Sequence, residues 1–396
     1  MLQLMMKNEV VMEIDFDQAE YNVINKDLLP FVMQNKIKRV PDFSEIHSKY
    51  DDTQRQIIIR HNYDAILSFL ASRILPITRE NAKKVYNLLG FSQLQDDYSK
   101  AKVALVCRAL SLQDNYWLKI DKDKSKWEDV CLRNVSLSEA VAQVSLHGTN
   151  LTLTNKKEEA MKTPELTGQG TYAKAWVREE DGLYLYKKGA NGATEAKIEV
   201  MVSTLLDNCN VNHLKYIAGE SNGEYICKCK CMTNDDISIL SGMDFDVWCT
   251  IQGMDSRKEA LKIDSEAIYK MWIVDYLICN SDRHGLNWGF FYNCNTNKIL
   301  GCHPLYDHNN AFDIPLMYDE NAEYLYDSSM TMKQAAEIAM KKVDFHFYRA
   351  PQRQDFLTER QYNVFTKRAK ELNIQIIPKQ DMTKEIDNEY EPIDLA

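Results

Sequence analysis

The sequence predicts an α+β protein built from more than one unit: an N-terminal α/β stretch, a short β-rich segment, and a mainly helical half. Three observations carry that expectation. The chain has 396 residues, too many for one ordinary hydrophobic core, so two or three units are expected. From about 166 to 233 it runs as short alternating segments punctuated by glycine turns, and from about 234 onward helical periodicity takes over. Residues 1–150 carry a pattern of their own, set off by the polar, charged stretch TNKKEEAMKTPE at 154–165. The expected units are therefore 1–153, 154–233, 234–380 and an acidic tail at 381–396.

In the first unit, VVMEIDF reads as a strand and YDAILSFLASRIL as a helix by its apolar spacing. RENAKKVYNLLGF reads as a helix closed by Gly90, and SLSEAVAQVSL as another with Ser136 or Ser138 as N-cap. No chemical constellation is visible there. In the second unit, LTGQGTYAKAWVREEDGLYLYKKG reads as strand, glycine turn, strand, a hairpin turn at Asp181-Gly182, and strand. ATEAKIEVMVSTLLDN then reads as a helix, and HLKYIAGESNGEYICKCKCM as a hairpin turning at Asn222-Gly223. Strands, one helix, then strands is an order that resembles the small lobe of a kinase. In the third unit EAIYKMWIVDYLIC is the strongest helix.

Composition sets limits on function. There are 48 Lys and Arg against 58 Asp and Glu, a net charge of −10, and a pI near 5.4, which argues against direct nucleic-acid binding through a broad basic surface. Ten cysteines include no CxxC pair and no Cys/His quartet at zinc spacing. Cys227, Cys229 and Cys231 alternate, so on a strand they share one face as small apolar residues. Free thiols suit a reducing cytosol. The N-terminus has no secretory apolar region, and no apolar run reaches about 18 residues. A cytoplasmic, membrane-free protein is expected, with delivery as an effector into a host left open.

The residues that carry chemistry lie at 280–313. NSDRHGLNWGFFYN holds Asp282 and, after four intervening residues, Asn287. Asp307 follows within HPLYDHNNAFD, after a hairpin pattern WGFFYNCNTNKILG that returns the chain toward Asn287. Phosphoryl transfer needs one carboxylate at the attacking hydroxyl, hard oxygens on Mg²⁺, and a cation with backbone N–H groups on the phosphates. Asp282 fits the first role, and Asn287 and Asp307 the second. Strand alternation in GLYLYKK puts Lys187, rather than Lys188, on the apolar face with Leu183 and Leu185. Glu195 and Glu199 stand one turn apart on the next helix, and Glu195 is the expected partner of Lys187. Gly168, Gly170 and Thr171 in TGQGT would lay N–H groups over the phosphates. His284 and Arg283 read as braces of the loop, Arg283 against Asp275 or Asp307.

These motifs resemble the catalytic core of the HipA-type serine/threonine kinases, the bacterial persistence-toxin kinases and their relatives. Asn280, Asp282, Arg283, His284, Asn287, Tyr306 and Asp307 match that family's pattern. The resemblance is firm over about 265–315, extends over 160–375, and does not reach 1–150. It implies a two-lobed protein-kinase-like fold preceded by an additional N-terminal α/β unit. It also implies ATP and Mg²⁺ as cofactors, Asp282 as the catalytic aspartate, and Lys187, Glu195, Gly168, Gly170, Thr171, His284, Asn287 and Asp307 around the nucleotide and metal. Some family members autophosphorylate a hydroxyl in the glycine loop; here the loop offers Thr167 and Thr171 and no serine. The expected function is a Mg-ATP-dependent serine/threonine protein kinase with a toxin or effector role, acting on an unidentified protein and regulated by an antitoxin-like partner. The alternatives are a small-molecule or lipid kinase with the same loop, or a nucleotide-binding scaffold.

Overall fold

The structure, a computed structural model, describes residues 1–91, 96–152, 163–168, 170–190, 193–319 and 321–379. Most of the expected linker at 154–165 and all of the expected acidic tail lie outside the described residues.

The chain opens with β1 (Leu2–Met6), β2 (Glu9–Asp15) and β3 (Glu20–Val23). The long helix α1 (Lys49–Ala71) follows, then α2 (Ala82–Leu89) and α3 (Asp97–Val106). β4 (Tyr116–Ile120) completes an antiparallel sheet in the order β3-β2-β1-β4. α2 ends as expected on Gly90 at φ +79°, the left-handed conformation that favours glycine. After α4 (Trp127–Val130), α5 (Glu139–His147) begins at Ser138, whose hydroxyl accepts from Val141 N–H.

A second antiparallel sheet, β5-β6-β8-β7, follows. It comprises β5 (Lys174–Glu179), β6 (Gly182–Lys187), β7 (Tyr216–Ser221) and β8 (Glu224–Lys230), with α6 (Thr194–Leu206) inserted after β6. Asn222 and Gly223, at φ +52° and +75°, make the expected hairpin turn between β7 and β8. The β5–β6 turn sits one residue earlier than Asp181-Gly182: the ladder closes on Glu179 and Gly182, leaving Glu180 and Asp181 as the loop. Cys227 and Cys229 are buried beneath α6 with Tyr216, Ala193 and Ala196, as small apolar packing.

The remainder is largely helical. β9 (Ile237–Ser241) leads into α7 (Gly242–Ile251) and α8 (Ser256–Leu277). α8 is broken at Asp264, whose carboxylate accepts from the Ala267 and Cys302 N–H groups. The expected hairpin forms as β10 (Gly289–Asn293) and β11 (Lys298–Cys302), paired with β9 in a three-stranded sheet. The chain continues through α9 (Ile314–Tyr318), β12 (Glu323–Tyr324), β13 (Asp327–Thr331), α10 (Met332–Met340), β14 (His346–Phe347), α11 (Glu359–Glu371) and β15 (Gln375–Ile376). Among the described residues no helix is long and apolar enough to cross a membrane.

One apolar cluster runs from β1 and β2 through α1–α3 into α7, α8, α10 and α11. Residues 1–150 therefore share their core with the helical half. They also grip the connection between β8 and β9. Fully buried Asn115 donates to the carbonyls of Asn234 and Asp235 at 3.2 and 2.9 Å, and its side-chain oxygen accepts from Arg133. Ile239 N–H donates to Gln113 O at 2.8 Å, Thr233 donates its hydroxyl to Leu112 O, and Lys7 reaches Asp235 O at 3.1 Å. A buried amide that satisfies three groups leaves them all stranded when removed. Asn115→Ala is expected to lower stability by about 2–4 kcal/mol, read as a shift in the urea midpoint at unchanged slope.

Candidate active site

The site is assembled where α8 ends. Asp275, in its last turn, is fully buried, and the helix stops at Ile278 because Cys279 turns left-handed at φ +51°. Asn280 then folds back, its N–H and side-chain amide both donating to Asp275, at 3.0 and 2.9 Å. Three residues on, Arg283, also fully buried, clamps the same carboxylate through Nε and Nη2 at 2.8–3.2 Å. Its remaining Nη1 donates to the carbonyls of Asn287 and Tyr306, and Tyr324 donates its hydroxyl to Asp275 at 2.6 Å. Burial opposes the guanidinium charge, but Asp275 outweighs it and raises the Arg283 pKa further. Arg283 thus braces against Asp275, not Asp307.

Glycines let this loop pack tightly. A Cβ on Gly289 would lie 2.2 Å from Leu240 O, and one on Gly285 2.8 Å from Met243 N. Asp282 is partly exposed. Its Oδ2 accepts from Asn310 Nδ2 at 2.8 Å, and Asn287 Nδ2 donates to the Asp282 carbonyl at 2.8 Å. With its nitrogen committed there, the donor Asn287 can offer a cation is its oxygen. His284 Nε2 lies 3.6 Å from Asp282 Oδ1 while its Nδ1 accepts from Leu286 N–H at 3.1 Å, the position of a brace.

β10 and β11 carry the chain back to Asp307, held at φ +60°. Leu305 is tied by backbone hydrogen bonds to Asn212 and Leu214, which sets Asp307 against the second sheet. There Lys187 Nζ lies 2.5 Å from Asp307 Oδ1 and 3.2 Å from Glu199 Oε2. Glu199 Oε1 accepts from His308 N–H at 3.0 Å. Burial opposes all three charges. Asp307 and Glu199 hold Lys187 protonated well above the usual lysine range. Burial raises Glu199 despite Lys187, whereas Lys187 and Lys174 drive Asp307 down. The shorter contact of Lys187 is to Asp307.

The partner of Lys187 is a correction. Glu195 was expected and Glu199 is found, because α6 starts only at Thr194, after Ala193 in left-handed conformation. Glu195 is then in the first turn, close to Gly189, and lines the cleft. Glu199, one turn on, is fully buried and faces β6. The cleft between them is nearly closed, with a cavity of about 10 Å³ lined by Tyr172, Lys187, Gly189, Glu195, Glu199 and Asn309. Glu195 Oε2 and Asn309 Oδ1 are buried there without a hydrogen-bond partner among the described residues.

Sequence reasoning missed Lys174, Asn309 and Asn310. Lys174 was missed because the turn was placed one residue late: with Glu180 and Asp181 as the loop, Lys174 pairs with Lys187, and Lys187 pairs onward with Cys227, so the three side chains form one cross-strand row. Burial, with Arg79 adding to it, pushes the Lys174 ammonium down to about 7. Gly170, at φ +96°, lies against its Nζ: a Cβ there would approach to 2.4 Å. Thr171 is exposed, while Thr167 is buried with its hydroxyl donating to Pro164 O at 3.2 Å. Gly168 contacts Arg79.

The donor set suits a hard cation. Asp307 and Asn287 offer two oxygens, and no group of three or more His, Cys, Asp and Glu side chains among the described residues could hold a metal alone. Hard oxygen donors of this kind are the type that Mg²⁺ takes alongside waters and phosphates.

No protein-family model matches the chain, and no curated protein matches it. Solved structures do. HipA of Shewanella oneidensis, solved as a toxin–antitoxin complex with HipB and operator DNA, aligns over 94% of this chain and 98% of its own at 10% identity, with a TM-score of 0.51. The Helicobacter pylori proinflammatory kinase CtkA aligns over 52% of this chain and 88% of its own at 11% identity, with a TM-score of 0.35. The chain has a HipA-like fold.

Lys174 ties stability to pH. Its proton is bound near pH 7 in the folded chain and near the ordinary 10.5 in the unfolded one. Below about pH 7 both forms carry the charge and its burial cost is fully present; between 7 and 10.5 the unfolded chain holds more proton, so stability rises with pH. Urea unfolding of Lys174→Met at pH 7, 8 and 9 is expected to show a shallower rise than wild type.

Proposed function

We propose that the chain is a Mg-ATP-dependent serine/threonine protein kinase whose two lobes meet at this cleft. In this reading 154–233 forms the small lobe, 234–380 the large lobe, and 1–153 an attached unit. The observation that carries it is the Lys187–Glu199–Asp307 cluster facing the Asp282/Asn287 loop across a HipA-like fold.

Each group then has a task. Asp282, oriented by Asn310 and Asn287, accepts the proton of the attacking hydroxyl. Asn287 and Asp307 would hold Mg²⁺, which neutralises charge on the phosphates. Lys187, positioned by Glu199, would contact the phosphates, with Lys174 beside it as a second cation. Gly168, Gly170 and Thr171 would cover them from the loop. A nucleotide needs several hundred Å³ against the 10 Å³ present. Binding therefore requires the side chains lining the cavity to move aside and Lys187 to exchange Asp307 for phosphate.

The substrate is proposed to be a protein hydroxyl. Thr171, exposed on the loop, is the readier self-acceptor; Thr167 would first have to be uncovered. A regulatory protein partner is proposed from the HipA neighbour, which was solved with HipB. The expectation of no direct nucleic-acid contact draws no support from that neighbour, which was solved with operator DNA.

Wild-type chain incubated with radiolabelled Mg-ATP and lysate is expected to label protein, and itself at Thr171 by phosphopeptide mapping. Asp282→Ala should lose transfer by about 10³-fold or more while binding Mg-ATP within a few-fold of wild type. Asp307→Ala should lose transfer and weaken Mg-ATP binding at least about tenfold. Equal transfer by wild type and Asp282→Ala would sink the assignment, and phosphate confined to other segments would sink the Thr171 role.

A further inference from the structure

The glycine loop is held from outside by residues of the N-terminal 150. Arg79 Nη1 donates to Gly168 O at 3.3 Å and Nη2 to Lys174 O at 3.4 Å. Ser145 adds its hydroxyl to Lys174 O at 2.7 Å. Glu80 closes the other side, its N–H donating to Thr171 O at 2.8 Å and its carboxylate accepting from Ala173 N–H at 3.3 Å. The loop is thus gripped at Gly168, Thr171, Ala173 and Lys174, at both ends of the turn that faces the cleft.

Arg79 is an expensive way to do this. It is 4% exposed, and burial lowers its pKa to about 10, with Glu165 only partly offsetting that at longer range. Glu165 spends an oxygen on Trp176 N–H at 2.7 Å, and Arg79 Nε has no hydrogen-bond partner among the described residues. A buried cation held mainly by two carbonyls is poor value as a stabilising device, and an apolar side chain would serve a core better. What the guanidinium does is fix two peptide carbonyls with one rigid fork. It also lies against Gly168. A Cβ there would lie 2.6 Å from Arg79 Nη1, so a larger residue would push the guanidinium from its place.

We propose that Arg79 is a positioning residue for the phosphate loop, and that the N-terminal 150 residues act as a splint fixing that loop for nucleotide binding. Turning the Gly168 and Lys174 carbonyls onto the guanidinium keeps their negative ends from the phosphates, which they would repel. The nucleotide half of this proposal rests on the kinase reading; the support of the loop does not.

Two variants of the full chain test it, Arg79→Lys, which keeps the charge but loses the fork, and Arg79→Gln, which loses both. Without nucleotide, hydrogen exchange in the peptide 163–174 is expected to rise about tenfold in Arg79→Gln and less in Arg79→Lys. Exchange in β8 and the second half of α8 should stay as in wild type. In turnover, KM for ATP is expected to rise about tenfold in Arg79→Gln with kcat within about threefold, and Arg79→Lys should recover part of it. Unchanged exchange in 163–174, or a rise matched across β8 and α8, overturns the support. Loosened exchange with an unchanged KM overturns the positioning role. Wild type that turns over no ATP counts against the kinase reading, and the exchange result still decides the support.

Discussion

The buried pair between Asp275 and Arg283 is the interaction on which the site depends. It joins the end of α8 to the loop that follows, and the arginine spends its remaining donors on the carbonyls of Asn287 and Tyr306. One guanidinium therefore fixes the helix end, the loop bearing Asp282 and Asn287, and the segment after β11 that bears Asp307. Both partners are fully buried, so losing either would strand a charge at a cost of about 3–5 kcal/mol. Asn280 and Tyr324 fill the other sites on the carboxylate, which makes the network complete rather than half-satisfied.

From that anchor the charges arrange themselves in order of solvent access. Arg283, Asp275 and Glu199 are sealed, Lys187 and Asp307 are nearly so, and Asp282 and His284 stand partly open. The sealed layer gives position, and the partly open one can meet a substrate. Lys187 and Asp307 are paired with each other, and in the kinase reading a metal and phosphates would compete for the same charges, so binding and the breaking of that pair are expected to be one coupled step.

The local part of this arrangement was legible in the sequence. Asp282 and Asn287 are five residues apart on one loop, and the hairpin returns the chain so that Asn310, three residues past Asp307, donates to Asp282, which needs no distant information. Strand alternation chose Lys187 over Lys188, and Lys187 is the buried one. What failed depended on a boundary: Glu195 would be the inward residue had α6 begun a turn earlier. What was invisible depended on contacts across about 90–120 positions. Arg79 on Gly168 and Asn115 on Asn234 leave no periodic trace, and nothing local marks residues 1–150 as a support for the loop and for the β8–β9 connection.

In the kinase reading proposed above, the cleft would take ATP through a metal held by Asn287 and Asp307. Calorimetric titration of wild-type chain with a non-hydrolysable ATP analogue, in excess Mg²⁺ and again in EDTA, tests it most directly. The account predicts binding at least about tenfold tighter with Mg²⁺. Binding of equal strength in EDTA, or none at millimolar analogue in Mg²⁺, would contradict it.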